Sequence, residues 1–283
     1  MRLFRPRGRN DAGRSASPLT RTMDLLKDGR FAEAEAEARE VASARSALHG
    51  DDPYAPRALS IAAVAMGAQG RHAEALAQYD ELLPVFGRIF GAEHLLTLKL
   101  RSDRAQTLVA LDRSAESEAE CAAVARIADR GTGPHLPLVA VAARNGLVFA
   151  LNAQGRHEEA EAIARDALAG RFAEGRLALV LRLGLARSLN GQGRHEEALT
   201  EAEHAGALRR DLPELTRAET GGVELAVATA QLGLGRTDEA RAGAADALDA
   251  CRTVLGPDHY RAAEARSLLD RIDGRSPGRD SEG

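Results

Sequence analysis

Three histidines and a series of acidic residues are the side chains here that could do chemistry. His72, His157 and His195 are closely followed by Glu74, Glu158 with Glu159, and Glu196 with Glu197. Imidazole nitrogens and carboxylate oxygens are zinc ligands, and the same groups act as general bases and acids. Their spacing argues against both roles. Each histidine follows a Gly-Arg pair and so occupies the same place in its own stretch of chain. Equivalent places in a repeated array form a row and do not converge on a point. No HExxH motif and no paired-cysteine spacing accompanies them. Neighbouring acids such as Glu158 and Glu159 point in different directions on a helix. Cys121 and Cys251 are far apart in sequence, too few for a disulfide framework. Neither Lys27 nor Lys99, the only lysines, follows a glycine, so there is no P-loop. The reading is of a protein that is not an enzyme, with no metal and no cofactor expected.

The stretches that carry the histidines are copies of one unit. Gly29-Arg30-Phe31-Ala32-Glu33-Ala34 returns as Gly70-Arg71-His72-Ala73-Glu74-Ala75 and Gly155-Arg156-His157-Glu158-Glu159-Ala160. It returns again as Gly193-Arg194-His195-Glu196-Glu197-Ala198 and Gly235-Arg236-Thr237-Asp238-Glu239-Ala240. Asp112-Arg113-Ser114-Ala115-Glu116-Ser117 is a degenerate copy in the one wide gap. The steps are 41, 42, 43, 38 and 42 residues. A period in that range is the mark of a solenoid of stacked supersecondary units.

Each unit reads as two helices. In the second, residues 55–68 form the first helix and 72–89 the next, with Gly70 ending the first in a left-handed conformation. The acidic residues that follow sit in the first turn of the second helix, where they meet the positive end of its dipole. Counted from the turn residue, positions +5, +9 and +12 make one apolar stripe: Ala75, Tyr79, Leu82 in the second unit, and Ala160, Ala164, Ala167 in the fourth. Positions −8, −7 and −4 make the facing stripe, as in Ala62, Ala63 and Met66.

Composition agrees. The chain is 44% hydrophobic yet only 3% aromatic, and 28% charged, which favours close-packed helices over β-structure. The net charge of −4 is uneven: Arg2, Arg5, Arg7, Arg9 and Arg14 against Asp11 make the first fourteen residues +4, leaving −8 for the rest. An acidic body repels nucleic acid, so no nucleic-acid partner is expected. No signal-peptide core or membrane span is read, which points to the cytoplasm.

On these features the chain resembles a tetratricopeptide-repeat protein: a small residue at −7, the turn glycine and the alanine at +5 match that motif. Phe90-Gly91-Ala92-Glu93-His94 and Leu255-Gly256-Pro257-Asp258-His259 resemble the longer, kinesin-light-chain type. The resemblance covers residues 19–272 and implies an all-α fold, an α-solenoid with a right-handed superhelix of six helix pairs. Arg21, Arg104 and Gln231 stand where the family is usually apolar. Residues 260–273, with Ala265, Leu268, Leu269 and Ile272 on one face, read as a C-terminal capping helix whose Arg261, Glu264 and Arg266 face outward. The expected organisation is a disordered Arg-rich tail over 1–18, the solenoid and cap over 19–273, and a disordered tail over 274–283.

In the family the first helix of each pair lines the concave side. Its positions −10, −6 and −3 then form the groove, and the residues best suited to a partner are Gln106, Asn145, Phe149, Asn152, Arg187 and Asn190. Arg57 and Lys99 stand one turn earlier at its mouth. Amides can bond the main chain of an extended peptide, Arg can fork a carboxylate, and Phe can wall a pocket. The implied function is a non-catalytic scaffold holding a protein or peptide segment. The alternative is a peptide-responsive sensor acting on a separate effector. Deleting residues 1–15 is expected to leave the melting temperature within about 2 °C, measured by circular dichroism.

Overall fold

The computed structural model describes residues 17–48, 52–170, 173–212, 219–257 and 259–275. Most of the two expected tails therefore lies outside the described residues. Those residues form thirteen helices in chain order. The first pair is α1 (Thr20–Lys27) and α2 (Phe31–Leu48), the second α3 (Tyr54–Ala68) and α4 (His72–Ile89). Next come α5 (Leu95–Val109) with α6 (Ser114–Arg130), and α7 (Leu136–Ala153) with α8 (His157–Ala169). Then follow α9 (Gly175–Gly191) with α10 (His195–Arg210), α11 (Gly222–Gly233) with α12 (Thr237–Val254), and the single α13 (Tyr260–Ile272). Six pairs and a cap are what the period predicts.

One turn geometry joins the helices within every pair. The amide of the arginine after the turn residue donates to the carbonyl five residues back: Arg30 to Leu25, Arg71 to Met66, Arg113 to Leu108, Arg156 to Leu151, Arg194 to Leu189 and Arg236 to Gln231, at 2.9–3.0 Å. This is the long bond of a Schellman-type cap, and it needs a left-handed residue just before the arginine. Gly29, Gly70, Gly155, Gly193 and Gly235 have φ between 70° and 79°. The degenerate unit keeps the geometry without the glycine. Asp112, at φ 58°, is the one non-glycine with positive φ among the described residues.

The second-helix stripe packs as its spacing predicts. All three of its positions are buried in every unit except Val41, which is half-buried. In the last three units the stripe is alanine throughout, at no more than 4% exposure, so the helix backbones approach closely. Two glycines in first helices serve the same end. A Cβ at Gly146 would stand 2.6 Å from Cys121 Sγ, and one at Gly184 would stand 2.7 Å from a methyl of Val148.

Curvature follows from which helices touch. Each first helix from α3 to α11 packs on its own second helix and on the first helices of neighbouring units. Consecutive second helices are splayed apart among the described residues. The first-helix layer is therefore the concave one. The helix α7 is long and apolar enough to cross a membrane by length and composition, which the sequence reading overlooked. It packs on α5, α6, α8 and α9, and its single charge, Arg144, pairs with Asp129.

The cap departs from expectation at one residue. Ala262, Ala265 and Leu268 of α13 are buried as predicted. Arg261, expected to face outward, turns in to meet Glu219, a carboxylate that is 1% exposed and also bound by Arg176. A buried carboxylate demands a cation, and Arg261 is the nearest the cap can supply. The polar residues at usually apolar sites also find partners: Arg21 with Glu37, Arg104 with Asp80, and Gln231 with Glu239.

Two substitutions test the turn. Gly155→Val puts a β-branched residue at φ 73° and is expected to lower stability by about 1–3 kcal/mol. Asp112→Gly relieves the same strain and is expected to raise stability by about 0.5–1 kcal/mol. The denaturant midpoints of the two variants should move in opposite directions.

Candidate interaction groove

The concave layer carries three rows of side chains, and they differ sharply in exposure. The −6 row stays accessible in every unit from the second to the sixth: Gln106 and Arg187 are exposed, while Val64, Phe149 and Thr229 are half-buried. The −10 and −3 rows are partly consumed by packing, with Ser102, Asn152 and Leu225 buried. The groove surface is thus narrower than the sequence reading drew it.

Two of the proposed groove amides are occupied elsewhere. Asn152 is 6% exposed, and its amide donates to the Gly184 carbonyl and Ser188 Oγ at 3.1 and 3.0 Å. Its Oδ1 lies 2.9 Å from Nδ1 of His157. Asn190 is half-buried and holds His195 in the same way, Oδ1 to Nδ1 at 3.0 Å. The pairing of −3 with +2 crosses the turn, so each asparagine positions the histidine of its own unit. The ring then packs on the following unit: a Cβ on Gly191 would stand 2.3 Å from the His157 ring, and one on Gly233 would stand 2.3 Å from the His195 ring. Sequence reasoning missed this. The signal was present, since Asn occurs at −3 in the two units that have His at +2 and a Gly two residues before the next turn.

Asn145 and Phe149 lie one turn apart on α7. Both are half-buried. Asn145 Oδ1 is shielded from solvent and has no hydrogen-bond partner among the described residues. Arg187 is exposed on α9 and forms an ion pair with Glu264 of α13. A carboxylate from the cap therefore already answers the charge read as a partner's anchor. Lys99 is exposed and pairs with Asp103 at 2.6 Å, and Arg57 lies over the Tyr54 ring at 5.3 Å. Gln106 is exposed on α5, whose neighbour α7 carries Asn145 and Phe149.

The turns are lined by the arginine of the repeated phrase. Arg30, Arg71, Arg113, Arg156 and Arg194 each fork the glutamate three residues on. The acids after the turn thus pair with this arginine, beyond the dipole contact expected of them. At three junctions the arginine also reaches back to the preceding unit: Arg71 to Glu35, Arg156 to Glu118 and Arg194 to Glu161, at 2.6–2.8 Å. Gln69, Gln154 and Gln192 bind the same three carboxylates.

The clamped carboxylates titrate below the ordinary 4.5. For Glu35 and Glu161 burial opposes ionisation, but the hydrogen bonds from glutamine and two arginines outweigh it. For Glu118 the bonds from Gln154 and Arg156 dominate. Cys121, 1% exposed, is pushed up to about 11 by burial, which makes it a poor nucleophile.

A depressed carboxylate pKa stabilises the fold at pH values above the unfolded one, and that stability is lost as pH falls through the folded value. The unfolding midpoint should hold from pH 7 to about 5 and drop below 4.5. Glu161→Gln should lower the midpoint at pH 7 and flatten the acid limb, read by urea titration across pH.

With this geometry in hand, the comparisons with known proteins are specific. Sequence profiles described as tetratricopeptide repeat match residues 141–171 and 227–261 in one form, and 56–81 and 179–204 in another. A search of curated proteins returned no match. Two crystal structures of nearly identical TPR-like repeats from a Podosopora anserina kinesin light chain share 19% identity with this chain. Each covers 69% of it, over 93% and 94% of their own lengths, with TM-scores of 0.53 and 0.52. A tetratricopeptide repeat protein from Parabacteroides merdae is 14% identical and covers 90% of this chain and 97% of its own, with a TM-score of 0.47. The profiles span the turns at Gly70, Gly155, Gly193 and Gly235, and the turns at Gly29 and Asp112 have the same cap. The chain thus carries tetratricopeptide repeats at residues 56–81, 141–171, 179–204 and 227–261, and it shares the solenoid fold of the kinesin-light-chain TPR-like structures.

Proposed function

We propose that this protein is a non-catalytic scaffold that binds an extended protein segment along its concave first-helix layer. The observation that carries the reading is the pair on α7. Phe149 offers an accessible ring, and one turn before it Asn145 Oδ1 is a shielded acceptor with no partner among the described residues. A shielded acceptor without a donor is costly, and a peptide N–H would satisfy it once the Asn145 side chain turns outward beside the Phe149 ring. Gln106 and Arg187 extend the same −6 row on either side, across helices that pack directly on α7. Asn152 and Asn190 are left out, because their amides hold the turn histidines.

Arg187 has a more conditional part than Phe149. A partner carboxylate must displace Glu264 before it can be forked. The test begins with affinity purification and mass spectrometry to supply a partner, followed by titration. Phe149→Ala is expected to weaken binding by about tenfold, or roughly 1–2 kcal/mol. Arg187→Ala should cost less, and Glu264→Gln should strengthen binding of a partner that presents a carboxylate. If Phe149→Ala and Asn145→Ala fold, by circular dichroism, and bind like the wild type, the groove reading fails.

A further inference from the structure

The ends of the solenoid meet. Phe31, at the start of α2 in the first repeat, packs on Leu25, Ala34 and Ala65 of the first two repeats. It also packs on the cluster of Cys251, Leu255 and Ala262 in the last repeat and cap. Its ring stacks on His259, with centroids 6.3 Å apart and planes 20° apart. Beside it, a Cβ on Gly29 would stand 3.1 Å from the carbonyl oxygen of Val254. The two buried clusters lie far apart in sequence, and the half-buried Phe31 ring packs against both.

The receptor for Phe31 has an internal counterpart. Phe90-Gly91-Ala92-Glu93-His94 joins the second and third repeats, and Leu255-Gly256-Pro257-Asp258-His259 joins the sixth to the cap. The two loops match at their glycines: Gly91 and Gly256 have φ of 101° and 100°. In both, the histidine Nδ1 accepts from the amide two residues on, Leu96 in one and Arg261 in the other, at 3.2 Å. In the first loop Phe90 stacks on His94 from within, with centroids 5.5 Å apart and planes 19° apart. In the last loop the corresponding residue is Leu255, which has no ring. Phe31 comes from the other end of the chain and stacks on His259 at nearly the same interplanar angle. His259, which also packs on the Tyr260 ring with centroids 4.5 Å apart, is 5% exposed, whereas His94 is exposed.

Phe31 is itself the exception among its equivalents. The same position in other units holds His72, Ser114, His157, His195 and Thr237. His157 and His195 use it to pack on the next unit. The first unit has instead a large apolar ring, and that ring reaches the last unit.

We infer that Phe31 and the loop around His259 form a clasp that joins the first repeat to the last and holds the superhelix closed, so that the solenoid has a closed form and an open one. The clasp stands whether or not the groove binds a peptide. A closed superhelix admits an extended segment along its concave layer, while a bulky folded partner needs the clasp released.

The test uses the full chain. X-ray scattering gives the radius of gyration, and hydrogen exchange reports the amides of Leu255 and Gly256 beneath the clasp. Phe31→Ala and His259→Asn should each enlarge the radius and speed exchange at those amides by about tenfold, the scale of one aromatic contact. Asparagine keeps the helix cap that His259 provides, so the second variant removes the ring alone. Phe31→Leu preserves the packing on Leu25, Ala34 and Ala65 and should still loosen the clasp if Phe31→Ala does not fold. Phe90→Ala removes the equivalent stack inside one loop and should leave the radius of the wild type. The clasp is refuted if Phe31→Leu and His259→Asn are folded and keep the wild-type radius and exchange rates.

Discussion

Everything in this molecule depends on how a helix is stopped. At each turn one residue enters the left-handed region, and the following arginine closes the cap through its amide. That single geometry fixes the angle at which the second helix leaves. It also sets the register of the alanine stripe that lets the helices approach. Because Gly reaches this conformation without strain, the repeat is visible as a glycine period. At Asp112 the neighbouring helices impose the conformation on a residue that resists it, which shows that the fold, and not the glycine, is the final arbiter.

The same arginine then ties one unit to the next. Where position +6 of a unit is Glu, the residue just before the next turn is Gln: Glu35 with Gln69, Glu118 with Gln154, Glu161 with Gln192. Where +6 is Leu, that residue is Leu as well, as in Leu76 with Leu111 and Leu199 with Leu234. A shielded carboxylate needs donors from both the arginine and the amide, and an apolar residue in either place would strand it. The junctions are therefore of two chemical kinds, three with a polar clamp and two with leucine at both positions. Each is internally consistent, as a foldable sequence requires. Junctions of both kinds preserve the curvature, because the first helices set it.

The groove is what remains once these structural demands are met. Small residues and polar clamps use most side chains near the turns, and asparagines that look like ligand groups are engaged by the turn histidines. What stays accessible is the −6 row, one position per first helix, with Phe149 at its centre and Asn145 one turn before it. The charge distribution follows the same logic. First-helix arginines such as Arg101, Arg104 and Arg182 pair with acids on second helices, at Glu120, Asp80 and Glu201, so little free positive charge faces the concavity.

By itself the sequence determined the period, the two helices in each unit, the helix boundaries of the second unit and the cap to within a residue, and the buried stripes. These are local matters of helix periodicity and turn stereochemistry, and they recur often enough to be read without coordinates. It also carried the pairing of Asn at −3 with His at +2, though only the structure made that pattern meaningful. Tertiary structure alone decided that Asn152 is buried, that Glu264 meets Arg187, that Arg261 turns in to Glu219, and that Phe31 meets His259. Each depends on how much each unit rotates relative to the last. That rotation is summed over six units, so a small angle at every junction decides which distant side chains finally touch.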